Sequence, residues 1–456
     1  MRRCFNHGRL AAPVVFRPAL GAQPARSGTQ PVSRRDLLYV SPVMPAVAGD
    51  GLAMRAGMVL EALAVDHNVH LLVIPVHRPL GPPETASEII SRWSASTAVL
   101  RLRDHEHPLF RLIGRAKDPR ERLAGYRAYP RPALCRFATP GAVGEVMRAF
   151  PAVTFSAVHV FRLYLAPFVE PYLRAGRRMR PICTLDLDDH ESRRARRVAA
   201  LYEAAGDELR AAIERSEADK YAVMEREMLP RFDQIYVCSE ADRVKVAQQC
   251  GCSNLTVLPN GVRIPARVPA KRPGRPFTLL LVGNFGYYPN DNAATFFCVE
   301  VLPRLRENAR EAIRVMLVGS NPSRRVKALA ADPDVIVTGS VPSVAPYYRD
   351  ADVVVVPVRA GGGTRIKLLE AFSYRRPVVA TTLGAEGIEA RHGVELLLAD
   401  TPADFASRCA ELMRSPVLRR RLVDNAAALV AARHSPRTLL ERLRRPLRQR
   451  GDRAKR

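Results

Sequence analysis

Short apolar runs alternate with longer amphipathic stretches along most of the chain. Residues 36–43 (DLLYVSPV) and 69–76 (VHLLVIPV) are apolar nearly throughout, and residues 54–67 between them place apolar side chains at helical spacing. A β-branched run that does not alternate with polar residues reads as a strand covered on both faces, as parallel strands are. Residues 155–169 (FSAVHVFRLYLAPFV), read as one strand, residues 181–192, 233–249 and 255–262 continue this order through the first half. Residues 277–305 begin it again with a buried strand, a glycine turn and a helix, followed by further strands at 314–320, 335–341, 353–358 and 377–381. Strand, loop, helix, strand is the unit of a doubly wound sheet, whose ligands sit beyond the carboxyl ends of the strands. The pattern predicts an α/β chain of two Rossmann-like doubly wound domains facing each other across a cleft.

A chain of 456 residues exceeds what one hydrophobic core holds, which agrees with two domains. Residues 1–34 hold no acidic side chain before the first strand and are rich in Gly, Pro, Ser and Ala, so they read as a basic tail without regular structure. The first domain is expected over residues 35–262. Residues 263–276 are rich in proline without periodicity and mark a linker, the second domain follows over 277–432, and 433–456 form a basic helix and tail. No apolar run reaches the roughly 18–20 residues of a membrane span.

Residues 359–377 (RAGGGTRIKLLEAFSYRRP) carry the clearest chemistry. Gly361, Gly362 and Gly363 let the backbone approach a ligand closely, and a helix is expected to begin near Thr364. Unpaired N–H groups and the positive end of the dipole stabilise phosphate oxygens at such a helix start, where Arg365 and Lys367 add charge-assisted hydrogen bonds. Glu370, one to two turns further in, suits a neutral diol, since a carboxylate can accept from two ribose hydroxyls. The segment matches neither the P-loop nor the GxGxxG pattern, which weighs against ATPases and dehydrogenases.

The strand at 353–358, then GGGTRIKLLEA, then RRPVVATTLGAEGIE resembles the donor-binding core of glycosyltransferase family 4, retaining enzymes of the GT-B fold. In that family two Glu residues with seven between them straddle this loop. Glu370 stands at the second position and Gly362 at the first, so this chain resembles a branch with GGG in place of the first Glu. The resemblance implies a nucleotide-diphosphate sugar as donor, with no further cofactor and no metal. Its diphosphate would lie between Arg365, Lys367, Thr364 and the loop of Gly283, Asn284 and Gly286, with a polar Asn290 near the place of a family cation. It also implies that Gly49 and Gly51, after the first strand, approach the donor. His159 in the 155–169 run has two readings: a contact to the donor sugar, as in family members, or a satisfied structural residue. On this resemblance Arg365, Lys367 and His159 are the catalytic candidates.

Asp186, Asp188 and Asp189 follow the strand in residues 181–192. A D-x-D can bridge a metal to a diphosphate, but here it precedes the nucleotide domain, and acceptor binding or helix capping is the other reading. Ser239 is placed to cap the helix after it, with Asp242 three residues on. The eight cysteines are scattered, and only Cys250 and Cys252 stand close, at a spacing that suits reduced thiols rather than zinc.

A net charge of +26 invites a nucleic-acid reading. Arginine outnumbers lysine 64 to 7, and no basic stretch carries interleaved aromatics or a recognised nucleic-acid module. The carboxyl end alternates Leu with Arg, and can lie on anionic lipid or close back across the amino-terminal domain. The expected protein is a cytoplasmic, retaining hexosyltransferase that acts on a glycan or lipid-linked acceptor, in bacterial surface polysaccharide synthesis by resemblance. A nucleotide-sugar epimerase or a nucleotide-sugar-binding protein without catalysis are the alternatives.

Overall fold

The computed structural model describes residues 14–16, 34–77, 88–174, 180–266, 268, 276–307, 309, 311–363 and 365–443. Two sheets organise them. The first holds β1 (Val14–Phe16), β2 (Arg35–Ser41), β3 (His67–Val73), β4 (Ser96–Val99), β5 (Ala157–Phe161), β6 (Ile182–Asp186), β7 (Gln234–Val237) and β8 (Leu255–Val257). Its order is β1-β4-β3-β2-β5-β6-β7-β8. The second holds β9 (Phe277–Val282), β10 (Ile313–Val318), β11 (Val335–Gly339), β12 (Val353–Val356), β13 (Val378–Ala380) and β14 (Leu397–Leu398), in the order β11-β10-β9-β12-β13-β14.

Every pairing is parallel except that of β1 with β4. The tail expected to lack regular structure therefore contributes an edge strand, in register Val14 with Val99 and Phe16 with Thr97. The central strands β9 and β12 are buried at every residue, because helices cover both faces of the sheet. In each sheet the order reverses between neighbours whose connections run opposite ways, β2 and β5 in one, β9 and β12 in the other. A crevice opens at each such reversal, beyond the carboxyl ends of those strands.

The run at 155–169 is not a single strand. It ends as a strand at Phe161, turns at Arg162 with φ of +79°, and continues as the short helix Leu163–Val169. All seven residues of that helix are buried, so its composition is as apolar as the strand before it. Periodicity cannot tell a short buried helix from a buried strand. Two helices that the hydrophobic pattern did not announce, Glu191–Ala204 and Glu208–Met228, follow β6 and pack on each other.

After the second sheet the chain returns to the first domain. Val262 N–H donates to the His434 carbonyl at 2.8 Å, and His434 Nδ1 lies 2.8 Å from the Asn260 carbonyl, so both crossings are tied side by side. Residues 436–443 are helical, and Leu439 and Leu443 are buried in a core with Tyr39, Ala56, Val59 and Tyr236. The Tyr236 hydroxyl donates to the Leu443 carbonyl at 3.2 Å. The described part of the carboxyl end thus closes back across the amino-terminal domain rather than standing as a solvated helix.

Removing the fully buried Leu443 side chain leaves a cavity in that core. Leu443→Ala should cost about 2–5 kcal/mol in urea denaturation. A change within about 0.5 kcal/mol would mean that this helix does not pack there in solution.

Candidate functional site

The reversal between β9 and β12 brings together two loops some eighty positions apart in sequence. Gly283 follows β9 directly, its N–H donating to Val318 at 3.0 Å. A Cβ on Gly283 would stand 3.2 Å from Lys367 Nζ and 3.1 Å from Asn290 Nδ2. Lys367 Nζ donates to Asn290 Oδ1 at 2.7 Å, so the asparagine holds the ammonium against the glycine turn. Asn284 braces the turn from within, accepting at Oδ1 from Gly286 N–H at 3.0 Å and from Asn321 at 3.1 Å.

Beyond β12 the chain passes through Gly361 and Gly363, at φ of +111° and +65°, conformations that favour glycine. Arg365 folds back on this loop and donates to the Gly362 carbonyl at 2.5 Å. The helix runs Ile366–Ser373, and Thr364 lies outside the described residues. Burial first, and then the Arg365 charge, push the Lys367 ammonium down to about 7. Burial pushes the Glu370 carboxyl up to about 7, against a hydrogen bond from Tyr348 and the Lys367 charge. The Tyr348 hydroxyl reaches Glu370 Oε2 at 3.4 Å, and its ring stacks on Tyr374 at 4.8 Å. Burial thus moves the ammonium and the carboxyl toward neutrality from opposite directions.

The amino-terminal domain faces this loop closely. A Cβ on Gly51 would lie 3.1 Å from the Ile366 side chain, placing the turn after β2 at the start of the Ile366–Ser373 helix. Gly49, at φ of +111°, has open space where a side chain would be. Asp189, after β6, packs on the glycine run: a Cβ on Gly362 would stand 1.8 Å from Asp189 Oδ1, and one on Gly363 3.2 Å from the Asp188 carbonyl. A side chain at position 362 would require the Asp189 carboxylate to shift.

A second contact joins the domains. Arg193 and Arg197 lie one helical turn apart on the Glu191–Ala204 helix and share one face. Both donate to Glu386 of the turn after β13, Arg193 at 2.7 Å and Arg197 at 2.5 and 3.0 Å, while Arg197 also donates to the Gly361 carbonyl at 3.0 Å. Burial works against the Glu386 charge, but these guanidinium hydrogen bonds hold its carboxyl down at about 2. The Tyr202 and Tyr288 rings stack across the same boundary at 3.9 Å.

Gly283, Asn284, Gly286, Gly361, Gly362, Gly363, Arg365, Lys367, Glu370 and Gly51 therefore border one region, with Gly49 on the adjoining turn. His159 does not join them. It is fully buried in mid-strand, its Nδ1 2.8 Å from Thr184 Oγ1, with the Tyr39 and Tyr236 rings beside it. Burial and then Arg55 push it down to about 3, so it stays neutral. The ring lies inside the sheet rather than at the loops of the site, and its Nε2 is buried without a hydrogen-bond partner. Asp186 and Asp188 are taken up by arginine: Asp186 by Arg55 at 2.7 and 2.8 Å, Asp188 by Arg162 at 2.7 Å. Among the described residues no group of three His, Cys, Asp or Glu is arranged to hold a metal.

Arg162, Arg193, Arg197, Glu386 and Tyr348 were not singled out in the sequence. In an arginine-rich chain a single arginine carries little information. The i, i+4 spacing of Arg193 and Arg197 was a readable signal, but their partner comes from the other domain.

Residues 276–415 match the family model described as glycosyl transferases group 1. A comparison with curated proteins gives no match. Among solved structures, sucrose-phosphate synthase from Thermosynechococcus elongatus superposes with a TM-score of 0.65 at 18% identity, over 91% of this chain and 99% of that one. HepE from Anabaena, solved with UDP and glucose, gives 0.60 at 12% identity over 91% and 100%. TarM from S. aureus gives 0.62 at 9% identity over 90% and 99%. The chain has the GT-B fold. In GT-B terms the site described above lies where the two domains face each other, with the Gly283 and Gly361–Gly363 loops on the carboxyl-terminal side.

The folded-state pKa of Glu370 lies above its unfolded value of 4.5, so its contribution to stability is complete below that value and is lost as pH rises through about 7. Wild type should lose melting temperature relative to Glu370→Gln as pH rises from 4.5 to 7.5. Parallel slopes would show that the carboxyl is not perturbed.

Proposed function

We propose that the chain is a retaining, metal-independent glycosyltransferase. It would move a hexose from a nucleotide-diphosphate sugar to a glycan or lipid-linked acceptor, in bacterial surface polysaccharide synthesis. The observation that carries the reading is the convergence of Lys367, Arg365 and the Gly283 turn at one helix start, with the buried Glu370 a turn deeper. This spacing suits a diphosphate and a ribose in series. The family match over residues 276–415 and the GT-B neighbours solved with UDP support a nucleotide donor.

In this reading Glu370 accepts from the ribose hydroxyls, while Lys367, Arg365 and the free backbone N–H groups of the helix start face the diphosphate. Departure of the diphosphate concentrates negative charge on its oxygens. Fixed cations there stabilise the transition state more than the ground state. Arrival of the anion also favours protonation of Lys367, whose ammonium burial holds down at about 7. With two cations and a helix dipole on the leaving group, no metal ion is called for.

Retention follows if the acceptor oxygen bonds to the anomeric carbon on the face from which the diphosphate leaves. The acceptor hydroxyl proton passes to the departing phosphate oxygen, and no protein nucleophile takes part. Glu386, clasped by Arg193 and Arg197, closes the two domains over the donor, which excludes water. Among the described residues no helix is long and apolar enough to cross a membrane. Work at the inner face of the membrane would then rest on surface contact with anionic lipid.

Thermal denaturation with UDP, GDP, ADP and their sugar conjugates tests the reading. A nucleotide at about 100 times its dissociation constant adds about 2.7 kcal/mol of stability, a shift of several degrees. The expected result is a shift selective for one base, unchanged by EDTA and abolished by Glu370→Ala. A folded protein that responds to no nucleotide would remove the donor-site assignment.

A further inference from the structure

Where the far end of the Glu191–Ala204 helix meets the second domain, a cavity of about 370 Å³ opens. Its walls come from both domains. Leu201, Ala204 and Ala205 form an apolar side, and the facing side carries Thr295, Phe296, Glu300, Arg325 and Arg359. None of these is among the groups that border the donor region. The volume is that of a small-molecule pocket.

Arg359 is the informative side chain. Its Nε donates to Asn292 Oδ1 at 3.1 Å, and its guanidinium carbon lies 4.4 Å from the centre of the Phe296 ring. The group is exposed, and among the described residues it has no carboxylate partner. It is thus held in place while its charge is unanswered, with both Nη groups left beside the cavity. Arg325, on the same wall, differs: its Nε donates to Asp291 Oδ1 at 2.8 Å, so its charge is already met. An arginine ordered in advance spares an arriving anion the entropy of ordering it.

The backbone of that wall is also uncommon. The helix Tyr288–Phe296 runs directly into a π turn, Phe297–Val301, which contains Glu300. Such turns are rare and concentrate at functional sites. The Thr295 hydroxyl donates to the Asp291 carbonyl at 3.0 Å, which leaves its oxygen free to accept.

A fixed guanidinium fork matches a phosphate. Glu300 and Thr295 offer acceptors, which suit hydroxyls, and the apolar side suits C–H surface. We propose that this cavity binds a phosphorylated monosaccharide, its phosphate on Arg359 and its hydroxyls on Glu300 and Thr295. The site is separate from the donor region and does not depend on that reading. Because its walls come from both domains, an occupant favours the arrangement in which they meet, so the ligand acts as an effector.

Isothermal titration of the full chain with glucose 6-phosphate, glucose 1-phosphate, mannose 6-phosphate, glucose and inorganic phosphate tests the assignment. At least one sugar phosphate should bind roughly ten-fold tighter than inorganic phosphate, the scale of one or two hydrogen bonds, and glucose should not bind detectably. Arg359→Gln should weaken that sugar phosphate roughly ten-fold or more, and Arg359→Lys should not restore it, since an ammonium lacks the fork. Glu300→Ala should weaken the sugar phosphate and leave inorganic phosphate no weaker. Ala204→Phe, at an exposed position, should block the cavity without altering either charge. Lys367→Ala, in the glycine-rich loop, should leave the affinity within about three-fold.

Failure of all three sugar phosphates to bind wild type overturns the proposal. A loss that follows Lys367→Ala instead of Arg359→Gln does so too, because it puts the anion in the glycine-rich loop. If Arg359→Gln does not fold, Ala204→Phe decides: unchanged affinity in that folded variant removes the site.

Discussion

Pairing of buried arginines with the acidic run after β6 is the constraint on which the cleft depends. Arg55 is fully buried on the Gly51–Leu63 helix and meets Asp186 through two hydrogen bonds and Asn260 through a third. Arg162 meets Asp188 and Glu191, and Glu191 also takes Arg194. Charges removed from water are tolerated only when each is met by an opposite charge and hydrogen bonds, and leaving one alone costs several kcal/mol. This network therefore fixes the turn after β5, the loop after β6 and the first helix relative to one another. It sets the wall of the cleft at which Asp189 stands.

The carboxyl-terminal wall is built differently. Its loops are short and glycine-rich, and their shape comes from close backbone contact rather than from ion pairs. A Cβ on Gly319 would stand 1.8 Å from the Gly283 carbonyl, and the Gly283 turn in turn rests against Asn290 and Lys367. The side chains with chemistry, Lys367 and Glu370, are partly or largely buried and perturbed toward neutrality. Perturbed groups of opposite type within one helical turn mark a place where a ligand changes the protonation state of the protein. One wall is thus rigid and charged, the other close-fitting and poised.

Joining the walls falls to a small set of groups. Glu386 receives two arginines, Tyr202 stacks on Tyr288, and the two chain crossings are tied through His434. The return of residues 436–443 to the amino-terminal core means that the carboxyl end belongs structurally to the first domain. Motion between the domains must then bend two adjacent strands of backbone, which restricts it to a hinge.

The sequence by itself determined the two doubly wound sheets, because unbroken apolar runs separated by glycine turns and amphipathic helices have one economical burial. It also determined the glycine-rich loop after β12: three consecutive glycines, a basic pair and a carboxylate at helical depth are a local signal, and local signals survive in one dimension. Its errors have a common cause. The helix Leu163–Val169 was read as strand because a fully buried segment carries no periodicity, and His159 had two readings because burial at mid-strand depends on neighbours from three other strands. Only the tertiary structure decided that Arg162 turns out of β5 at a positive φ, that Glu386 meets Arg193 and Arg197, and that Asp189 rests on Gly362. Each of these joins residues between about 25 and 190 positions apart. Coulombic and steric complementarity at that separation is set by how the sheets stack, and no pattern along the chain records it.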